Sequence, residues 1–170
     1  MPKITRKEAS WKPVKAVDLR RVGSEFGTCC RCGKQGLRYV HIVENKAGDC
    51  LEVGRECAIR LYSGYGAEQA QRRLRRLWGR RSRWPNRKWK KNARGNYVLS
   101  FPHENQKVRV TVFPDQFQGG WRFCIALGGD SPSFSKQQFN SIEDAKLGAF
   151  DECVEVFGWD AEPAAAKRFP

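Results

Sequence analysis

Cysteine spacing is the first chemical signal in the chain. Residues 29–57 read CCRCGKQGLRYVHIVENKAGDCLEVGREC, opening on Cys29-x-x-Cys32-Gly33 and closing on Val53-Gly54-x-x-Cys57-Ala58. Two thiolates three positions apart on a tight turn can grip one metal ion. Gly33 supplies the positive φ that folds the turn back toward the sulfurs. Zn2+ takes four N or S ligands at tetrahedral corners, so Cys57 is the expected third. The fourth is His41 or Cys50, one on each arm of an expected hairpin. His41 is preferred, because three thiolates and an imidazole carry less negative charge than four thiolates. Cys30 is expected to point away as a free thiol. The competing readings are small buried hydrophobes or disulfides. Seven cysteines, an odd number, and a start without the apolar segment of a signal peptide argue against a disulfide scaffold. The zinc is expected to be structural. Catalytic zinc signatures such as His-Glu-x-x-His do not occur.

The elements that must position these ligands follow from local pattern. Residues 37–45 are β-branched and aromatic enough for a strand, Asn45-Lys46-Ala47-Gly48 turns, and residues 50–53 return. A short helix over 56–62 then starts at the metal. Knuckle, hairpin, helix is a treble-clef-like order for a module over 18–66. Residues 1–17 carry five Lys and Arg and are expected to be a flexible basic arm.

Charge is the second signal. The net charge is +14, and the twelve Lys and Arg between 72 and 94 supply most of the excess, with no Asp or Glu from 69 to 103. Ala67, Ala70, Leu74 and Leu77 fall at helical spacing and leave Arg72, Arg73, Arg76 and Arg80 around the outside. Arg81, Arg83, Arg87, Lys88, Lys90, Lys91 and Arg94 continue the run through the helix and linker over 67–95. A solvated helix face normally mixes acids with bases, so this segment calls for an anionic partner, nucleic acid first. With about seven cations engaged, log K should fall with log salt at a slope of roughly −5 to −6. Trp78, Trp84 and Trp89 interrupt the run. Each is read first as a core anchor and second as a stacking surface for bases.

Residues 96–159 read as a second module. Tyr97, Leu99 and Phe101 share one face, Val108, Val110 and Val112 alternate cleanly, and Trp121 to Leu127 repeats the pattern. Residues 133–139 suggest a shorter fourth strand. Ser141 caps a helix, with Asp144 at the capping-box position, whose stripe is Ile142, Ala145, Ala149, Cys153 and Val156 or Phe157. That helix covers one sheet face; Arg109, Thr111 and Arg122 project from the other and are candidate nucleic-acid contacts. Residues 160–170 read as a disordered tail. The fold class is therefore α+β: a treble-clef-like zinc module, a basic helix, and a small antiparallel sheet covered by one helix.

The Cys29–Leu61 stretch, with Cys-x-x-Cys-Gly, Tyr39-Val40-His41 and Val53-Gly54-x-x-Cys57-Ala58, resembles zinc modules of uncharacterised phage and mobile-element proteins. In those a second Cys stands two residues before the last, where this chain has Arg55. Asn96-Tyr97, Thr111-Val112-Phe113, Gly120-Trp121 and Glu143-Asp144-Ala145-Lys146 are similar to their C-terminal half. More loosely, the order of strands then helix is similar to the arm-type DNA-binding domains of tyrosine recombinases. The resemblance implies no activity.

The expected function is non-catalytic binding of DNA or RNA in a phage or mobile-element nucleoprotein complex. A protein-binding counter-defence or regulatory factor is the alternative, and a nuclease the third. His103 lies in a turn, and Asp115, Asp130 and Asp151 gather around no base in the sequence. No run of 18 apolar residues occurs, so no membrane partner is expected, and the protein is expected to be cytoplasmic.

Overall fold

The computed structural model describes residues 11–160. They form a mixed α+β chain with two antiparallel sheets, divided into two compact units between Arg76 and Leu77.

The first unit opens on a strand that alternation does not announce. β1 (Lys12–Asp18) pairs antiparallel with β2 (Tyr39–Glu44), which pairs with β3 (Cys50–Val53) in the order β1-β2-β3. The expectation of a flexible arm over 1–17 is corrected for 11–17; residues 1–10 lie outside the described residues. Lys12, Val14 and Lys15 face solvent, so the strand is fixed by its ladder to β2 rather than by a hydrophobic stripe. Pro13 is tolerated because β1 is an edge strand, and the register shifts beside it. Trp11, 6 % exposed, packs with Val43, Val53, Cys29 and Cys57. Asp18 caps the 3-10 turn over 19–22, and its carboxylate holds Arg20 through two hydrogen bonds, which raises the Arg20 pKa. α1 (Arg55–Leu61) and α2 (Ala67–Arg83) follow, and the boundary between the units falls inside α2. The helix expected at the start of 67–95 is α2, and its last turns, from Leu77 on, belong to the second unit.

In the second unit β4 (Lys90–Lys91), β5 (Tyr97–His103), β6 (Gln106–Pro114), β7 (Trp121–Leu127) and β8 (Ser133–Phe134) form a meander in sequence order. α3 (Ile142–Phe157) packs on one face. Its core joins Leu99, Val108, Val110, Val112 and Phe123 to Ala145, Ala149, Phe150, Cys153 and Val154. Ser141 caps α3 as the sequence requires, accepting from the Asp144 N–H at 3.0 Å. Two details differ from expectation. β8 is only two residues long, with Phe139 returning as an isolated bridge to Trp121, and Phe150 and Val154 join the expected stripe, which Phe157 rather than Val156 completes.

Gly79 sits in the interior of α2, where a Cβ would meet nothing closer than the Arg83 guanidinium at 3.5 Å. Glycine costs a helix about 0.5–1 kcal/mol relative to alanine through backbone entropy. Gly79→Ala should therefore raise stability by about that amount, read as a higher melting temperature.

Candidate metal centre and basic surface

The metal ligands come from a loop and a helix that the small sheet brings together. Gly33, at φ +74°, closes the knuckle: the Gly33 N–H donates to the Cys29 carbonyl (2.9 Å) and the Cys29 N–H to the Lys34 carbonyl (2.8 Å). The Cys30 N–H donates to the Glu52 carbonyl (2.9 Å), tying the knuckle to β3. Gly54, extended at φ −72° and ψ 164°, starts α1 and places Cys57 in its first turn. The sulfurs of Cys29, Cys32 and Cys57 all lie within 4.8 Å of one another, close enough to share an ion. Zn–S bonds of about 2.3 Å at tetrahedral angles would set sulfurs about 3.8 Å apart.

The electrostatics of the trio fit a cation. Burial pushes the Cys29 thiol up, but the N–H groups of Gly54, Cys32 and Arg31 outweigh it and bring the group down to about 7. The Gly54 donor is 3.3 Å from the sulfur. Cys57 is pushed up to about 12, by burial first and then by the Cys32 and Cys29 sulfurs. Three thiolates this close repel one another, and a metal ion among them removes that cost.

Neither expected fourth ligand joins the group. His41 is fully buried on β2, with Nδ1 2.9 Å from the Tyr65 hydroxyl and Nε2 3.1 Å from the Gln71 side-chain nitrogen. Its ring nitrogens meet side chains from α2 and the loop before it and are not among the ligand atoms that gather with the cysteine sulfurs, which corrects the assignment of His41. Cys50 is exposed at the hairpin end of β3, with its Sγ toward the Gly48 carbonyl. At strand rise it stands about 13 Å along the chain from Gly54, which touches the Cys29 sulfur. Cys30 is exposed, as expected. Among the described residues the ligand group is the three cysteines, which line a depression of about 260 Å³ together with Lys34, Arg55, Glu56 and Gln71.

The basic run divides into neutralised and uncovered members. Arg81 is neutralised: its guanidinium makes a two-point contact with the Asp151 carboxylate on α3, at 2.7 and 2.9 Å. This removes it from the expected nucleic-acid set. Arg72 meets Glu68 one turn away at 2.7 Å, an exposed pair of small energetic weight. Arg73 is half-buried. Arg80 lies 4.2 Å over the Trp159 ring, and burial, followed by the neighbouring Arg87 charge, lowers its pKa. Arg87 stacks over Trp84 at 5.0 Å, and Lys91 over Tyr97 at 5.1 Å. Arg76, Arg83, Lys88, Lys90 and Arg94 are exposed and meet no carboxylate among the described residues.

Two of the three tryptophans are core anchors. Trp84 is 2 % exposed, and the Trp89 indole N–H donates to the Trp84 carbonyl at 3.1 Å. Trp78 is half-buried, with the Arg81 guanidinium 5.5 Å from its ring centre. On the sheet's outer face Arg109 is exposed. Arg122 donates to the Ser135 carbonyl at 2.5 Å, which positions its charge without cancelling it. Lys90, already in the expected set, shares that face through its pairing with Val98. No helix among the described residues is long and apolar enough to cross a membrane. Comparison of the chain with family models, curated proteins and solved structures finds no match.

Proposed function

We propose that this chain is a zinc-stabilised, non-catalytic nucleic-acid-binding protein. The observation that carries the reading is an acid-free segment, 69–103, whose Arg76, Arg83, Lys88, Lys90 and Arg94 are exposed and meet no carboxylate among the described residues. Like charges held together in this way raise the free energy of the folded chain, and a polyphosphate offsets that cost while releasing its counterions. In this reading the metal is Zn2+, held by Cys29, Cys32 and Cys57 with a fourth ligand from outside the trio. It closes the knuckle onto a treble-clef-like hairpin and helix, and supplies stability rather than chemistry. The resemblance to phage and mobile-element modules supports a place as an accessory subunit of such a nucleoprotein complex.

Salt dependence tests this directly. The slope of log K against log salt becomes shallower by roughly 0.7–0.9 for each phosphate that is no longer neutralised. Replacing Arg76, Arg83, Lys88 and Arg94 together by Ala should therefore flatten it by about 3, with affinity lowered alike for unrelated sequences. An unaltered slope in a folded variant would refute the assignment.

A further inference from the structure

Among the described residues the second unit's sheet is covered by α3 on one side only, and the residues on its other side form a consistent chemical pattern. Strand register sets Lys90, Val98, Thr111, Cys124 and Phe134 in one row across all five strands. Phe113 pairs with Arg122 beside that row, and Ser100, Arg109 and Ala126 lie on its other flank. None of the strand positions on this face is an Asp or Glu. Phe134 is 57 % exposed, and its ring meets Phe113 edge to face at 6.1 Å between centres.

A third aromatic stands at the end of the same face. Phe117, in the loop between β6 and β7, is 95 % exposed. Its position is nonetheless fixed. The Asp115 carboxylate accepts from the Phe117 N–H at 3.0 Å, and the Asp115 N–H closes the loop onto the Gly120 carbonyl at 3.0 Å. Depressions of about 370 and 430 Å³ adjoin Phe117, and Arg122 lines both. Arg94 and Asn96 border the first, Lys136 and Gln138 the second.

We propose that this face binds single-stranded nucleic acid, with unpaired bases stacked on Phe117, Phe134 and Phe113. Arg94, Arg122 and Lys136 take the phosphates, and the Asn96 side-chain amide borders the aromatic cluster where it can meet a base edge, while the Gln138 amide nitrogen is held by the Gly119 carbonyl. The inference rests on the nucleic-acid reading above and adds the strandedness of the ligand. Aromatic rings can stack only on bases that are not already paired, whereas a duplex offers this face only its phosphates and groove edges. Charge complementarity selects a polyanion over an apolar protein surface. Arg94, Arg122 and Lys136 border the aromatic cluster, and the acid beside them, Asp115, is engaged by the loop backbone.

The test compares wild type, Phe117→Ala and Phe134→Ala on oligo(dT), oligo(U) and a mixed-sequence duplex at one salt concentration. Stacking contributes about 1–3 kcal/mol per base, so each substitution should weaken single-strand binding by roughly 5- to 150-fold and leave duplex binding within about twofold. Phe117 has almost no packing to lose, so its removal does not threaten the fold. Phe117→Trp should restore affinity, with a fluorescence change on binding. The DNA and RNA arms show which sugar is preferred. Unchanged single-strand affinity in both Ala variants, or an equal loss on duplex, overturns the platform while leaving nucleic-acid binding in place. A wild-type protein that binds none of the three at low salt overturns the underlying reading, and this inference with it.

Discussion

Cys32→Ser should strip the metal from the protein and unfold the first unit, while the second unit's sheet persists. The size of the effect follows from where Cys32 sits. Its side chain is exposed, so in a chain without metal the change of sulfur to oxygen would alter stability by no more than about 0.5 kcal/mol. With a metal on Cys29, Cys32 and Cys57 the same change removes a ligand from a site whose binding free energy is about 10–16 kcal/mol and is coupled to folding. That is comparable to the whole stability of most small domains, about 5–15 kcal/mol. The first unit's own apolar cluster is modest, centred on Trp11, Val43, Val53 and Ala58, so it has little else to rely on. Metal content per chain and thermal melts with and without a chelator read the outcome. Cys30→Ser and Cys50→Ser should leave metal content unchanged, since both thiols are exposed and outside the trio. A metal-free wild-type protein whose melt is unmoved by Cys32→Ser would eliminate the centre.

The second large effect lies in the other unit. Trp84→Ala should cost about 3–5 kcal/mol, the range for removing a buried large aromatic. Trp84 follows directly on α2, and its ring meets those of Phe150 at 5.2 Å, Phe101 at 5.5 Å, Trp159 at 6.1 Å and Trp89 at 6.3 Å. Truncation would leave a cavity at the point where the basic segment is anchored to the sheet and α3. Arg87, stacked over Trp84 and Phe101, would lose its support as well. Trp84→Phe should cost much less. Among the described residues the buried indole N–H has no hydrogen-bond partner, and removing it recovers part of the packing loss by deleting an unsatisfied donor. Chemical denaturation of the three proteins gives the ranking. Equal costs for Ala and Phe would mean that the ring cluster does not hold the segment.

The legibility of this chain varied with how local the cause was. The meander of the second unit was readable because Val108, Val110 and Val112 alternate with Arg109 and Thr111, and the pleat turns that alternation into two faces. The α3 start was readable because the Ser141 hydroxyl accepts from the Asp144 N–H within a single turn. The cysteine trio was readable because Cys-x-x-Cys-Gly is itself a turn. β1 was hidden: Lys12-Pro13-Val14-Lys15 has the composition of an arm, and only its pairing with β2 makes it a strand. The two-residue β4 was hidden for the same reason, since its partner Tyr97-Val98 lies across a turn.

At the candidate sites the division runs the same way. Residue type and spacing by themselves determined three thiols able to share an ion, an acid-free cationic run, and the alternation that sends Arg109, Thr111 and Arg122 to one face. Tertiary structure alone decided that His41 meets Tyr65 and Gln71 instead of joining the cysteine trio, and that Arg81 is neutralised by Asp151, seventy residues away. It also decided that Phe113 and Phe134 meet on the uncovered side of the sheet. The physical reason is range. Backbone sterics, pleat and capping act over a few residues and leave a periodic trace, whereas the choice of partner for a buried imidazole, a guanidinium or a ring depends on chain segments that only folding brings together.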